Sequence, residues 1–157
     1  MDQIDLHLLS LLKVNSKMKY AEMGTEVHLS APAVHERIKK LEKNGVIKNY
    51  TIETNPKKLG LSVCALISIT LSNVTLCSDA VIELEKIHEV EECFSTAGEE
   101  SLLIKIRTKD TDSLEQLLVK LRSISGVERT LTKIVLTSHF ERTALHSPKN
   151  EESISGL

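Results

Sequence analysis

The sequence predicts an α+β chain: an N-terminal helix-turn-helix followed by a ferredoxin-like βαββαβ domain. Three observations predict it. Residues 1–45 carry apolar side chains at helical spacing, broken at Asn15-Ser16, at His28-Leu29-Ser30 and at Asn44-Gly45. From residue 61 onward, strand-like and helix-like runs alternate in the order βαββαβ. The charge divides in the same place: residues 1–60 hold ten Lys or Arg against seven acids, and residues 61–157 hold ten against fifteen. A basic front on an acidic body places any polyanion at the front.

Each element has a local reason. Ile4, Leu8 and Leu11 recur at i, i+4, i+7, widened by Leu9 and Leu12, which predicts a helix over Ile4–Val14. Asp2 and Asp5 suit the positive end of its dipole. Tyr20–Val27 reads as a second, shorter helix buried through Ala21, Met23 and Val27. After the tight connection at His28-Leu29, Ser30 is a good N-cap, and Pro32 falls in the first turn, where its missing N–H costs nothing. Val34, Ile38 and Leu41 carry this third helix to Lys43, and Asn44-Gly45 supplies a left-handed stop. The period then changes to two over Val46–Glu53, predicting a short strand or hairpin arm, and Asn55–Gly60 reads as a linker.

In the second half, Leu61–Leu71 and Val127–Phe140 read as long strands. Val90–Ala97 and Leu102–Thr108 read as two more, joined at Gly98-Glu99-Glu100-Ser101. Ser78–His88 and Asp110–Ser123 are helical, the latter capped by Asp110 or Asp112 and apolar at Leu114, Leu117, Leu118 and Leu121. The organisation expected is therefore a helix-turn-helix domain with linker over 1–60 (motif at about 21–40), an assembly and effector-sensing domain over 61–140, and a polar tail over 141–157.

Composition narrows the function classes. The chain has 157 residues, 41% hydrophobic and 27% charged. Its strongest apolar run, Leu61–Leu71, is too short for a membrane helix, and Met1–Leu12 lacks the basic start of a signal peptide. A cytoplasmic, nucleoid-associated protein with no membrane partner is the expectation. Aromatics are 3% with no Trp, a poor supply of stacking platforms for single strands. Cys64, Cys77 and Cys93 suit neither a disulfide framework nor a zinc site, and the six histidines are scattered. No nucleotide-binding or nucleophile motif is present, so no catalytic residues, metal or cofactor are expected.

The chemistry concentrates in the helix that starts at Ala31. In a helix-turn-helix the second helix of the pair enters the major groove N-terminus first. Its first turn, Ala31, Pro32 and Ala33, is small enough for close backbone approach to phosphate, and Ser30 caps it. With Val34, Ile38 and Leu41 turned inward, Ala33, His35, Glu36, Arg37, Lys39 and Lys40 share the outside. Arg37 is suited to reading guanine and Lys40 to neutralising phosphate; Lys17, Lys19 and Tyr20 flank the second helix and suit backbone contacts. Lys39-Lys40 alone reads first as a solvated helix face, and Glu91-Glu92 and Glu99-Glu100 read first as solvated loop acids.

The sequence resembles the Lrp/AsnC, or feast/famine, family of prokaryotic transcription regulators over residues 1 to about 140. The resemblance rests on Asp2-Gln3-Ile4-Asp5 with Leu8-Leu9. It continues through Val27-His28-Leu29-Ser30 with Val34, Arg37, Ile38, Leu41 and Glu42, then Gly45-Val46-Ile47, Tyr50 and Pro56–Gly60. Gly98, the run Gly126-Val127 to Thr132 and Ile134-Val135-Leu136 extend it. The resemblance implies a winged-type helix-turn-helix before the ferredoxin-like domain, homodimers that often build octamers, and amino-acid effectors in many members. Where the family often has Glu-Leu-Ala, this chain has Glu22-Met23-Gly24, and Gly24 is expected to weaken its helix by up to about 1 kcal/mol. The position usually held by Gly before Leu-Ser is His28. The family's Gly-Asp/Glu-Tyr-Asp loop reads Gly98-Glu99-Glu100-Ser101, and loss of the second acid predicts weak or atypical amino-acid binding.

The expectation is a sequence-specific double-stranded DNA regulator of amino-acid-related genes, acting as a homodimer or larger assembly. A small effector is expected at Gly98, Glu99, Glu100, Ser101 and Leu102 between subunits, with Thr130 and Thr132 lining the same pocket. Two alternatives stand beside it: an enzyme similar to the sirohaem decarboxylases on the same architecture, and an architectural or partner-binding protein without effector response.

Overall fold

The structure is a computed structural model that describes residues 1–73 and 76–141. It divides into two compact units, Met1–Glu53 and Thr54–Glu141. The tail expected over 141–157 lies outside the described residues apart from Glu141.

The first unit holds three helices: α1 (Gln3–Val14), α2 (Tyr20–Val27) and α3 (Ala31–Lys43). Asp2 and Asp5 form a reciprocal capping box at the start of α1, each side chain accepting from the other's backbone N–H at 2.9–3.0 Å. Leu8, Met23, Val27, Val34 and Ile38 make the core, with Ile4, Leu11, Leu12, Met18, Leu29 and Ile47 packed around it.

The arm expected from Val46 is not a strand. Residues 46–55 carry no strand pairing, and Val46, Tyr50 and Ile52 are exposed. Alternation supplies two faces but no hydrogen-bonding neighbour, and a strand needs the neighbour. The segment is held instead by two backbone bonds, from Val46 and Ile47 N–H to the Leu41 carbonyl, and by the Tyr50 hydroxyl, which donates to Glu42 at 2.7 Å.

The second unit opens with a 3-10 turn, Pro56–Leu59, capped by Asn55 and stopped by Gly60 at φ 79°. Then follow β1 (Val63–Leu71), α4 (Cys77–Glu85), β2 (Val90–Ser95), β3 (Leu102–Thr108), α5 (Thr111–Arg122) and β4 (Val127–Val135). The sheet is antiparallel in the order β2-β3-β1-β4. In-register pairs share a face. The face toward α4 and α5 carries Ile67 and Ile69 of β1 opposite Ile104 and Leu102 of β3; all four are fully buried, with Ala80, Leu84, Leu114, Leu117 and Leu121 closing the core.

The opposite face is open. One row across it runs Phe94, Leu103, Ser68, Leu131, and the next runs Glu92, Lys105, Leu66, Lys133. Phe94 is 50% and Leu131 49% exposed. A bulge at Glu91 puts two adjacent carboxylates on this side, so that Glu91 and Glu92 both reach Lys105 and Glu91 also pairs with Arg107.

The last strand ends at Val135, five residues short of the expected Phe140. Its partner β1 runs out there, with Cys64 opposite Val135 as the final pair. The chain then turns back past β1, and Glu141 pairs with Lys105 and Arg107 of β3.

Candidate DNA interface and effector loop

The helix-turn-helix is set by a close backbone approach. His28 ends α2 in the left-handed conformation at φ 54°, and Leu29 N–H donates back to the Gly24 carbonyl at 2.9 Å. A Cβ on Gly24 would sit 2.4 Å from the Leu29 carbonyl oxygen. Gly24 is thus not a weak point of α2 but the position over which the turn closes, contrary to its reading from helix propensity. His28 tolerates left-handed backbone better than most non-glycine residues do.

The turn delivers α3 as expected. The Ser30 hydroxyl accepts from Ala33 N–H at 3.4 Å, and Pro32 lies in the first turn. Val34, Ile38 and Leu41 are buried. At about 100° per residue, the surface opposite that stripe holds Pro32, Ala33, Glu36, Lys39, Lys40 and Lys43. Of these all but Ala33 are exposed, and Ala33 is half-buried. Lys17, Lys19 and Tyr20 are also exposed, Lys19 giving its backbone N–H to Glu22 at 3.3 Å.

The two flanks of α3 are occupied within the unit. Arg37, expected to read a base, lies on the α1 side, where Nη1 donates to Asp2 at 2.8 Å and to Asp5 at 2.7 Å. Asp5 is only 15% exposed, so the pair is partly shielded from water. The Asp5 backbone N–H, and then Arg37, hold the Asp2 carboxyl below the usual carboxylate range. On the other flank the His35 ring sits 5.2 Å from that of Tyr20, and Glu42 takes the Tyr50 hydroxyl. Burial, and then Glu42, push the Tyr50 phenol up to about 12. Asp2, Asp5, Glu42 and Tyr50 were not among the expected site residues. The signal for the acids was the place of Arg37 on the wheel, beside Val34 and Leu41 rather than opposite them.

The loop between β2 and β3 is tightly tied. Thr96 donates its hydroxyl to the Glu100 carbonyl at 2.7 Å and its N–H to the Ser101 carbonyl at 3.1 Å. Ser101 donates its N–H to Ile69 at 2.9 Å and accepts from Leu71 N–H on its hydroxyl at 3.2 Å. Gly98 and Glu99 are exposed, and Glu100 is half-buried. Leu102 is fully buried in the core, so its side chain does not face the loop.

The structure does not bring Thr130 and Thr132 to this loop within one chain. Thr130 lies opposite Ile69, and Thr132 opposite Ile67, both on the helix-facing side. Thr130 is two strand spacings, about 10 Å, from Leu102. It accepts from Arg122 Nε at 3.4 Å. An open groove of about 670 Å³ between α4 and α5, lined by Ile82, Ile87, Ile124 and Lys120 among others, includes none of the loop residues. Among the described residues there is no cluster of His, Cys, Asp or Glu fit to hold a metal, and no helix is long and apolar enough to cross a membrane.

Comparison with known proteins places these features. Residues 1–42 match an AsnC-type helix-turn-helix domain, and residues 64–145 match the Lrp/AsnC ligand binding domain. The HTH-type transcriptional regulator FL11 of Pyrococcus abyssi is 37% identical over 145 residues, covering 92% of this chain and 95% of its own. The transcriptional regulator LrpA of Mycobacterium tuberculosis is 35% identical over 140 residues, covering 89% and 93%. The structure of Escherichia coli AsnC superposes with a TM-score of 0.88 at 31% identity, covering 93% of this chain and 99% of that one. A feast or famine regulatory protein of M. tuberculosis, complexed with L-methionine, superposes at 0.86 with 34% identity, covering 92% and 99%. These relatives are regulators, not enzymes. The chain belongs to the Lrp/AsnC family, as a DNA-binding transcription regulator with an N-terminal helix-turn-helix and a ligand-binding-type βαββαβ unit.

Proposed function

We propose that the chain is a sequence-specific regulator of double-stranded DNA that works at the chromosome in the cytoplasm as a two-fold dimer or a larger symmetric assembly. The observation that carries this reading is α3: a capped helix with a small first turn and three lysines on the one face its own unit leaves uncovered. Lys40 neutralises phosphate, with Lys39 and Lys43 beside it, and Lys17, Lys19 and Tyr20 hold the flanking backbone. Lys40→Ala tests this in a gel shift across salt concentrations. Affinity for all sequences is expected to fall together, with a salt slope flatter by about one unit. Wild-type slope and affinity would refute the assignment.

The βαββαβ domain, residues 61–140, serves assembly and sensing. The open sheet face, with Phe94, Leu66 and Leu131 exposed, is the surface a second copy covers. Any effector binds near Gly98 to Leu102 between subunits. Glu99 and Glu100 attract an ammonium group, and an amino acid is the class that fits, as L-methionine does in the mycobacterial relative. Thr130 and Thr132 join such a site only when a second copy supplies them. Because the Ser101 hydroxyl replaces a carboxylate, binding is weaker than in relatives with the second acid. Calorimetry with the twenty amino acids on wild type and on Ser101→Asp tests this. Tighter binding by the variant supports it; micromolar binding by wild type refutes it.

A further inference from the structure

We propose that Glu36 is the specificity-determining residue of α3, accepting a hydrogen bond from the N4 amine of a cytosine in the major groove. The proposal rests on the reading of α3 as the DNA-recognition helix and deepens it.

The argument begins with what α3 has already committed. Arg37 is held by Asp2 and Asp5, His35 lies against Tyr20, and Glu42 accepts from Tyr50. These contacts engage both flanks of the helix within its own unit, Arg37 most firmly, while the His35 side chain stays 49% exposed. On the remaining face, Pro32 and Ala33 present no polar side-chain atom. Glu36 is therefore the first side chain from the N-terminus able to form a directional bond, and the N-terminal part of such a helix is the part that reaches base edges. Its side chain is 73% exposed, and among the described residues its close ionic neighbour is the His35 Nδ1 at 3.9 Å. Lys40 lies one helical turn further on, and Lys43 nearly two.

Charge sets the partner. A carboxylate on a surface that faces phosphates is repelled, and it lowers affinity for every duplex unless a donor meets it. An ionised carboxylate only accepts. In the major groove only cytosine N4 and adenine N6 donate. Adenine sets its N7 acceptor beside N6, which repels the second carboxylate oxygen, so cytosine is the base that fits. Lys40, on the same side, then meets either phosphate or the O6 and N7 acceptors of a neighbouring guanine. Glu36 thus trades general affinity for discrimination.

The test is selection of binding sites from a randomised duplex pool by the full-length wild type, Glu36→Ala and Glu36→Gln. Alanine is the strongest helix former, and the position is exposed, so the first variant keeps the fold; circular dichroism checks it. Wild type is expected to select one fixed C·G pair in each half-site. In Glu36→Ala the preference at that pair falls about tenfold or more, while the other positions persist and affinity for random duplex rises. In Glu36→Gln the preference moves toward adenine, which glutamine pairs through N6 and N7. A Glu36→Ala site identical to wild type at every position overturns the proposal alone. A wild-type chain that retains no duplex from the pool overturns the DNA-recognition reading, and this one with it.

Discussion

Replacing Gly24 by alanine separates two readings of the same residue by sign. Helix propensity alone favours alanine by about 0.8–1.0 kcal/mol in the interior of α2. The structure opposes it: the added Cβ would meet the Leu29 carbonyl oxygen at 2.4 Å. An ordinary carbon–oxygen contact is about 3.3 Å or more, so the turn must lift by roughly 1 Å. Overpacking of this kind costs about 1–3 kcal/mol, and a backbone obstacle cannot rotate aside as a side chain does, so the upper half of that range applies. After the propensity gain, the net loss is about 1–2 kcal/mol. For a unit this small, that lowers the melting temperature by roughly 5–15 °C. The chain has two tyrosines and no Trp, and both tyrosines, Tyr20 and Tyr50, lie in the first unit. Intrinsic tyrosine fluorescence therefore follows the melting of that unit alone. A Gly24→Ala protein that melts at the wild-type temperature or above would refute the reasoning.

Three further outcomes are expected. Arg37→Ala should lower the tyrosine-reported melting temperature and weaken binding to all sequences alike, because it releases α1 from α3; relaxation of a single base position in a site selection would restore Arg37 as a base reader. In Tyr20→Phe, the remaining phenol should still titrate well above its ordinary value by absorbance at 295 nm, because burial and Glu42 both raise it. Its raised value favours the protonated folded state, so this contribution to stability is full below the ordinary value of about 10 and is lost as pH rises from there through 12. A titration midpoint at the ordinary value would show that Tyr50 is not held by Glu42. Leu131→Glu should convert any dimer of the full chain to monomer in sedimentation at micromolar concentration, since it would bury a charge at the β4 end of the row that a second copy covers; unchanged association would place the interface elsewhere.

The sequence carried the elements well where a period and a punctuation mark coincided. Ser30 with Pro32, and Val34, Ile38 and Leu41 before Asn44-Gly45, gave α3 its observed limits of Ala31 and Lys43. It failed where the outcome depends on a distant partner. Val46–Glu53 and residues 136–140 alternate or are apolar enough for strands, yet pairing decides, and β1, the partner of β4, begins only at Val63. The same holds at the site. The cap and the lysines follow from local pattern, whereas the capture of Arg37 by acids 32 and 35 residues away follows only from the packing of α1 on α3. Thr130 and Ser101 are both polar and near strand ends, but within one chain strand order and pleat direction, not composition, keep them apart.

The crossing from Val135 to Glu141 has a consequence for any sheet laid against the open face. Beyond the last β1–β4 pair, the chain returns over the end of the sheet and is pinned by Glu141 to two cations of β3, beside the buried Cys64. Two stacked sheets of similar texture can slide along their strands, and nothing in a row of leucines fixes where they stop. This crossing is a ridge at one end of the surface. For a second copy stacked as proposed over Phe94, Leu103 and Leu131, it would act as an end stop on the Lys105 and Arg107 side. The ridge is fastened by charge rather than by apolar contact. Lys105 holds the Glu141 carboxyl below its usual range, so the fastening persists above the ordinary carboxylate value and is released only as acid drives the pH down through the lowered one. A stacking offset defined at neutral pH would thereby lose its stop in acid, before the apolar row itself is disturbed.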